Sequence, residues 1–145
     1  MTRCRLKIKA SMNWNNKKVL VTGGASFIGS HLTEKLIENG AIVRVAENFS
    51  SGERKHLENV DCDLVEGNLL DSEFCDQATK GMEVVFHLAA DHGGRGYIDS
   101  HPVECSTNMI LDGQVFRHAH QNGAEKIVFA SSGCVYPTSA QMDVS

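Results

Sequence analysis

A glycine-rich segment near the start of the chain, Thr22-Gly-Gly-Ala-Ser-Phe-Ile-Gly29, has residue types that can hold a phosphate. It joins a short β-branched run, 18–22, to an amphipathic stretch that begins at Phe27. Free backbone N–H groups at the start of such a helix, together with the helix dipole, attract anions. Gly23 allows a tight turn, and Gly29 allows the helix to pack closely on the strand. In this strand-turn-helix context the segment predicts a site for the pyrophosphate of a dinucleotide rather than a purely structural turn.

An acidic residue follows this segment at the spacing found in dinucleotide sites. Glu47 ends a second β-branched run 18 residues after Gly29, and an acid about 20 residues after the glycines accepts hydrogen bonds from the adenosine ribose. The spacing favours NAD over NADP as the cofactor, with Asn48 beside the ribose. Two alternatives stay open: Glu47 is a solvated acid at a strand end, or Arg54 or Lys55 reaches a 2′-phosphate.

The alternation of apolar runs places these residues in an α/β fold. Short β-branched runs alternate with amphipathic stretches over residues 18–145, which predicts a doubly wound parallel sheet of about five strands in one domain. The predicted strands cover 18–22, 42–47, 62–65, 83–90 and 126–132, and the predicted helices cover 27–39, 72–80 (with Asp71 as N-cap) and 102–122. The apolar rows predicted to face the core are Ile28, Leu32 and Leu36 in the first helix and Ile110, Leu111, Val115 and Ala119 in the last. Ligands of such sheets bind in the crevice outside the carboxyl ends of the strands.

Composition and charge exclude some classes of function. The 145 residues, with 41% hydrophobic and 22% charged side chains, suffice for one domain with its own core. Residues 1–17 are predicted to form a basic arm, because the first 18 residues contain six basic side chains and no acid. The rest of the chain is therefore acidic, which excludes general binding of nucleic acid because an acidic surface repels phosphate backbones.

The cysteines and histidines form no metal or disulfide pattern. The five cysteines are odd in number and contain no C-x-x-C pair, so we predict reduced thiols rather than a disulfide framework or a zinc site. His118 and His120 lie two residues apart on a predicted helix and point in different directions, His87 is a predicted core residue, and no metal is assigned. No apolar run is long enough for a membrane span or a signal peptide, so we predict a cytoplasmic protein with no membrane partner.

A second glycine-rich segment, Asp91-His-Gly-Gly-Arg-Gly-Tyr97, follows the fourth predicted strand at the lip of the crevice. Ala89, at the end of that strand, leaves space for a cofactor. Gly93 and Gly94 permit close approach of the backbone to a ligand, and Arg95 offers a forked phosphate partner. The alternative is a flexible surface loop, but the position beside the crevice favours a ligand contact.

Four motifs between residues 18 and 137 resemble the extended short-chain dehydrogenases, which epimerise or dehydrate nucleotide sugars. The motifs are V-T-G-G-A-S-F-I-G-S-H-L, V-A-E-N-F-S-S-G, H-L-A-A and A-S-S-G-C-V-Y-P. The resemblance implies a Rossmann fold, NAD as the cofactor and a nucleotide sugar as the substrate. It assigns the cofactor contacts to Gly23, Ser26, Phe27, Ile28, Gly29, Glu47, Asn48 and Ala89, and to Asn68 and Leu69, which match the family's Asp-Leu pair beside the adenine.

The chain departs from the family's T-G-x-x-G-x-x-G pattern at Ser26, where the family has a glycine. That glycine lets the backbone approach the pyrophosphate. A serine side chain either crowds the phosphate or forms a hydrogen bond to it. We therefore expect NAD binding to be weakened but not abolished.

The sugar end of the site resembles the GDP-mannose 3,5-epimerases within this family. The segments A-A-D-H-G-G-R-G-Y-I and S-S-G-C-V-Y-P carry the likeness. It implies that Gly93, Gly94 and Arg95 contact the sugar. It also implies that Cys134 is a catalytic acid/base and that Ser132 is the active-site serine. Two alternatives stay open: Cys134 is a small buried hydrophobe, or the scaffold belongs to a 4-epimerase or a dehydratase.

The family's catalytic Tyr-x-x-x-Lys pair is not found in this sequence. Tyr136 has Ala140 four residues later, so it does not match that tyrosine. The resemblance therefore implies an incomplete Rossmann domain, truncated before the substrate domain, that binds NAD without turnover, since a positioned base contributes about 10²–10⁴-fold in rate. The alternative is a non-catalytic dinucleotide-binding module. Related enzymes pair through helices of this domain, so a homodimer is also expected.

Overall fold

The computed structural model describes residues 12–132 and Pro137. The strands of this region are β1 (Lys18–Thr22), β2 (Ile42–Glu47), β3 (Asp63–Glu66), β4 (Val84–His87) and β5 (Lys126–Phe129). The helices are α1 (Phe27–Glu38), α2 (Ser72–Thr79), α3 (Arg95–Ser100), α4 (Pro102–Ser106) and α5 (Asn108–Gln121), and a short 3-10 turn covers Arg54–His56.

The five strands form one parallel sheet in the order β3-β2-β1-β4-β5. The chain builds outward from β1 to β3 and then returns to place β4 on the other side of β1, so the strand order reverses between β1 and β4. At this point Thr22 of β1 pairs with Ala46 of β2 and with His87 of β4. The predicted doubly wound sheet is therefore confirmed, and its ligand crevice is expected at this reversal.

Strand β1 is buried on both faces and separates two layers of core. Val19 and Val21 are fully buried in the layer that contains Leu36 of α1. Leu20, which points to the opposite face, is fully buried in the layer that contains Val115 of α5. Successive side chains of a strand point to opposite faces, so a strand covered by helices on both sides needs a continuous apolar run. The helices cover the two faces of the sheet, so the ends of the strands are the places where a site can form.

Local signals define the predicted helix ends. Asp71 is the N-cap of α2, as predicted, because its carboxylate accepts hydrogen bonds from Glu73 N and Phe74 N at 2.8 and 3.3 Å. Helix α1 ends before Gly40, whose φ of +88° is a conformation that glycine adopts readily.

The last residues of the predicted basic arm contact the domain. Trp14 packs against the core layer that contains Leu36 of α1, and its ring centroid lies 5.9 Å from that of Phe86. Lys17 Nζ lies 2.6 Å from Glu83 Oε1 and 3.0 Å from Glu125 Oε2. Residues 14–17 are thus attached to the edge of the sheet where the strands begin.

Strands β4 and β5 are shorter than predicted and end at His87 and Phe129 rather than at residues 90 and 132. Beyond His87 the amides of Leu88 and Ala89 each donate to the Thr22 hydroxyl at 3.1 Å, which turns the chain out of the sheet. Phe129 is paired with His87, so β5 ends where its partner ends.

The predicted helix over 102–122 is instead two helices, α4 and α5, and α3 occupies part of the predicted loop before them. Ile28 and Ile110, predicted to face the core, are 68% and 60% exposed. Both lie in the first turn of a helix. Leu36 and Val115, further along the same helices, are buried as predicted.

Candidate functional site

A cleft of about 440 Å³ lies at the carboxyl ends of β1, β2 and β4. It is lined by residues at these strand ends and in the loops that follow them. The predicted cofactor residues that the cleft brings together are Gly23, Ser26, Glu47, Asn48, Asn68, Leu69 and Ala89. Sequence reasoning missed Asp91, Tyr97, Asn108 and Leu111, which also line it.

The turn between β1 and α1 needs glycine at two positions for different reasons. Gly23 has φ +69°, and a Cβ there would lie 3.0 Å from Ala89 N. A Cβ on Gly29 would lie 2.2 Å from Gly23 O, a distance that no packing adjustment of a side chain can relieve. The turn therefore brings the start of α1 against the ends of β1 and β4, as the glycine spacing indicates.

Ser26 uses its hydroxyl inside the turn. It is the N-cap of α1, with φ −74° and ψ 169°, and its Oγ accepts a hydrogen bond from Gly29 N at 3.2 Å. The hydroxyl also donates to Gly23 O at 2.7 Å. The sequence left two outcomes for this side chain, crowding a phosphate or binding it, and the structure shows a third, in which the hydroxyl satisfies the backbone of its own turn.

Two backbone donors remain at the start of α1. Gly29 N is capped by Ser26, and Ser30 N donates to Ser26 O at 2.9 Å. Within the described chain the N–H groups of Phe27 and Ile28 have no acceptor, as the first groups of a helix do not. These donors and the helix dipole lie beside the cleft wall formed by Gly23 and Ser26, which suits an anion there.

Glu47 is only 7% exposed, so it is not a solvated acid at a strand end. Its Oε2 accepts a hydrogen bond from Ala25 N at 3.1 Å, and its Oε1 accepts from Asn48 N and Phe49 N, both at 3.1 Å. The carboxylate thus joins the first turn to the loop after β2. Because two carboxylate oxygens offer about four lone pairs, Glu47 still has capacity for a further donor from a ligand in the cleft.

The basic residues that offered an alternative are paired with acids. Arg54 NH2 lies 2.7 and 2.6 Å from the two carboxylate oxygens of Glu66, and its guanidinium lies 4.0 Å from the centre of the Phe49 ring. Lys55 Nζ lies 2.5 Å from Glu53 Oε2. Neither Arg54 nor Lys55 lines the cleft. The geometry therefore favours a free ribose 2′-hydroxyl over a 2′-phosphate.

The residues predicted beside the adenine follow β3. Leu69 is 5% exposed and belongs to the core layer that contains Val115 of α5, while Asn68 is exposed. Asn68 Oδ1 accepts a hydrogen bond from Leu70 N at 3.0 Å, which leaves its amide N–H groups available. One wall of the cleft is therefore apolar at Leu69 and polar at its rim.

A buried polar chain that the sequence did not reveal joins the ends of β1 and β4. Thr22 Oγ1 lies 2.7 Å from His87 Nδ1, and His87 Nε2 lies 3.0 Å from Asp112 Oδ1. Burial lowers the pKa of the His87 imidazole below its usual value, while the Asp112 carboxylate acts in the opposite direction. His87 is indeed buried, as predicted, but it is not an inert core residue.

The second glycine-rich segment is an ordered turn that leads into α3. A Cβ on Gly93 would lie 2.6 Å from Tyr97 Cβ and Cγ. Glycine is therefore needed here to make room for the Tyr97 side chain, whereas the sequence suggested that it makes room for a ligand. Tyr97 OH donates to Asp91 Oδ1 at 2.9 Å, and Asn108 binds both the N–H and the C=O of Asp91 at 2.7 Å. Gly93 and Gly94 do not line the cleft.

Three predicted residues remain, of which Arg95 lies within the described range, Ser132 at its end and Cys134 outside it. Arg95 is the first residue of α3. Ser132 is exposed and follows the end of β5 by three residues, and Cys134 lies outside the described residues. Their assigned roles stay predictions.

Over the described ranges no three His, Cys, Asp or Glu side chains are grouped so that they could hold a metal ion. In the same part of the chain, none of the helices combines the length and the apolar character that crossing a membrane requires.

Known proteins resemble this chain in sequence. The NAD dependent epimerase/dehydratase family model matches residues 19–145. The GDP-mannose 3,5-epimerase of Arabidopsis thaliana is 35% identical over 134 residues, which cover 90% of this chain and 34% of that protein. The UDP-glucose 4-epimerase of Mycolicibacterium smegmatis is 32% identical over 140 residues, 88% of this chain and 45% of that protein.

Solved structures share the fold. The UDP-glucose 4-epimerase of Thermus thermophilus, solved as a complex with NAD, matches with a TM-score of 0.73 and 34% identity over 80% of this chain and 38% of that one. The UDP-N-acetylglucosamine 4-epimerase of Methanobrevibacter ruminantium, solved with UDP-N-acetylmuramic acid, has a TM-score of 0.78 and 30% identity over 90% of this chain and 43% of that one. The chain thus spans 34–45% of the length of these relatives. It belongs to the NAD-dependent epimerase/dehydratase family.

Proposed function

We propose that this chain is the NAD-binding portion of a nucleotide-sugar epimerase or dehydratase and that NAD binds in the cleft at the end of β1. The observation that carries the proposal is the glycine turn, where a Cβ on Gly29 would lie 2.2 Å from Gly23 O. This close approach places the unpaired N–H groups of Phe27 and Ile28 beside the cleft, where they suit a pyrophosphate.

The other cleft residues suit the rest of the dinucleotide. Glu47 and Asn48 lie at the end of β2, where they can accept hydrogen bonds from the adenosine ribose. Asn68 and Leu69 offer one polar and one apolar contact for the adenine. Ala89 contributes little side-chain volume where the chain turns away from β4. Bound NAD would supply a hydride acceptor, and the residues of this chain bind and orient it.

Titration calorimetry with NAD and NADP tests this proposal. We expect the chain to bind NAD more tightly than NADP, and we expect Gly29→Ala to bind neither, since its Cβ would force the turn open. Gly113→Ala is the matched control, because a Cβ at Gly113 has no neighbour within 4 Å. Thermal denaturation of each variant shows whether it is folded. An unmodified chain that binds no NAD, or a folded Gly29→Ala that binds as well as Gly113→Ala, contradicts the proposal.

We propose that the complete enzyme acts on a nucleotide sugar. The names of the relatives include GDP-mannose and UDP-glucose epimerases, so the choice among a 3,5-epimerase, a 4-epimerase and a dehydratase stays open. In this proposal Ser132 and Cys134 act on the sugar, and Gly93, Gly94 and Arg95 contact it. The isolated chain is expected to show no turnover with NAD and sugar nucleotides, and conversion of either nucleotide sugar would contradict this.

A non-catalytic NAD-binding module is the alternative function. A cytoplasmic location remains a prediction from the sequence.

A second copy of this chain is the partner that we propose for the exposed face of α4 and α5. Val103, Met109 and Ile110 are 72%, 80% and 60% exposed, and a homodimer would cover the same apolar face on both copies. Sedimentation equilibrium should show a dimer for the unmodified chain and a monomer for Met109→Glu. Ile42→Glu, at an apolar residue 53% exposed on the sheet, is the control that should stay dimeric. A monomeric unmodified chain contradicts the proposal.

A further inference from the structure

The polar chain at the reversal of strand order is buried at Thr22 and His87, while its outer member, Asp112, has a side chain that is 26% exposed. Thr22 and His87 are 0% and 1% exposed, and they occupy paired positions at the ends of β1 and β4. Phe116 and Phe129 enclose the imidazole, with ring centroids 5.8 and 5.9 Å from it. Asp112, on α5, is the partner at the far side of the ring, 3.0 Å from His87 Nε2.

The hydrogen bonds determine where each proton lies. Thr22 Oγ1 accepts from Leu88 N and from Ala89 N, both at 3.1 Å, so both of its lone pairs are used. Its own O–H must then donate, and His87 Nδ1 lies 2.7 Å away. An acceptor Nδ1 requires the neutral imidazole with its proton on Nε2, which donates to Asp112.

This chain of bonds ends at the cleft. Leu88 and Ala89 line the cleft directly after β4. Ala89 N is also the atom that a Cβ on Gly23 would approach to 3.0 Å, so the position of this amide sets the clearance of the glycine turn. Movement of the Ala89 backbone would therefore change the shape of the site where the pyrophosphate is proposed to bind.

We propose that His87 and Asp112 are positioning residues for the dinucleotide site, which hold the Leu88–Ala89 backbone through Thr22 only while the imidazole is neutral. The proposal rests on NAD binding in the cleft, as argued above, and adds a dependence of that binding on pH. It gives a role to a buried histidine and to an acid that are not among the residues lining the cleft.

Protonation of His87 conflicts with the arrangement of donors. A proton on Nδ1 would point at Thr22 Oγ1, which would then face three donors with two lone pairs. Leu88 N also donates to Thr22 O at 3.3 Å, so Ala89 N is the amide that would be left without an acceptor. The groups that face the ring among the described residues are Thr22, Phe116, Phe129 and Asp112, and of these Asp112 alone is charged. Burial has the larger effect on the pKa of His87 and lowers it, so burial favours the neutral form, while Asp112 acts in the opposite direction.

The test is NAD affinity measured by calorimetry from pH 8.0 down to the lowest pH at which thermal denaturation shows the chain to be folded. For the unmodified chain we expect affinity to fall by about 5- to 10-fold on acidification, the effect of losing one buried hydrogen bond. His87→Asn should bind NAD more weakly than the unmodified chain at pH 7.5, because it loses the hydrogen bond to Asp112. It should nevertheless show no such fall on acidification, because the Asn oxygen can accept from Thr22 but does not titrate. Asp112→Asn should move the fall to lower pH, since removal of the carboxylate lowers the pKa of His87 further. His87→Leu should bind weakly at every pH.

Amide hydrogen exchange at Leu88 and Ala89, followed by NMR, tests the hydrogen-bonded chain without NAD. If the unmodified chain binds no NAD at pH 7.5, the proposed function fails. The exchange rates then still test whether neutral His87 holds the neighbouring backbone through Thr22. Acidification should then speed exchange at the Ala89 amide, beyond the intrinsic pH effect, in the unmodified chain but not in His87→Asn, while Leu88 N keeps Thr22 O as a second acceptor. The inference is overturned if the His87 variants have the same NAD affinity and the same exchange rates as the unmodified chain at every pH. It is also overturned if the fall in affinity on acidification persists in His87→Asn.

Discussion

Replacing Ser26 with glycine should strengthen NAD binding while it weakens the fold. In the unmodified chain the Ser26 hydroxyl accepts from Gly29 N at 3.2 Å and donates to Gly23 O at 2.7 Å. Ser26→Gly removes this cap and frees the Gly29 N–H, so α1 begins with three unpaired donors beside the cleft instead of two. The backbone at Ser26, with φ −74° and ψ 169°, is accessible to either residue, so no strain is relieved or added.

The two effects have different sizes and opposite signs. Replacing a Ser N-cap with Gly costs a few tenths of a kcal/mol in the free energy of unfolding, a net figure that already contains the greater freedom of glycine in the unfolded chain. We expect a loss of about 0.3 kcal/mol, which lowers Tm by about 1 °C for a domain of this size. A freed N–H that donates to a charged pyrophosphate gains roughly 1.4 kcal/mol or more, which is about a tenfold tighter Kd.

Urea denaturation and NAD calorimetry on Ser26→Gly and Ser26→Ala separate these contributions. Ser26→Ala frees the same N–H but keeps a Cβ, so its gain in affinity should be smaller and its loss of stability, about 1 kcal/mol, should come from the cap. Arg54→Ala, outside the cleft, controls for a general effect on binding. The reasoning is refuted if Ser26→Gly binds NAD no more tightly than the unmodified chain, or if it is the more stable of the two.

Three further predictions concern stability and reactivity. Asp71→Ala should lower the free energy of unfolding by about 1 kcal/mol, because it removes the N-cap of α2, and urea denaturation should show this with NAD affinity unchanged. Thr33 Oγ1 is buried without a hydrogen-bond partner in the described chain, so Thr33→Val should be neutral or stabilising by up to about 1 kcal/mol in the same assay, and clear destabilisation would contradict the buried unpaired hydroxyl. Burial raises the pKa of the Cys75 thiol to about 11, so alkylation of Cys75, mapped by mass spectrometry at pH 8, should be slow until urea unfolds the chain.

Much of the architecture follows from local patterns in the sequence. The alternation of β-branched runs with amphipathic stretches predicts the parallel doubly wound sheet, because each pattern reflects one element and one buried face. The glycine spacing from Gly23 to Gly29 predicts a close turn, and the structure shows that a side chain at either position would meet the backbone. Asp71 caps its helix, as its position before the apolar row indicates. The position of Glu47 at the end of β2 is also predicted by counting along the chain.

Tertiary structure alone decides how these elements meet. Thr22 and His87 are 65 residues apart in the sequence, and only their register in the sheet brings them to 2.7 Å and ends β4 early. Ile28 and Ile110 are exposed although they continue the apolar rows of their helices, because a periodic pattern does not say which turns of a helix other elements will cover. The sequence therefore determines which residues share a face and where the chain turns, because those are short-range properties. Which polar groups become partners is a long-range property, and it emerges only when the strands are aligned.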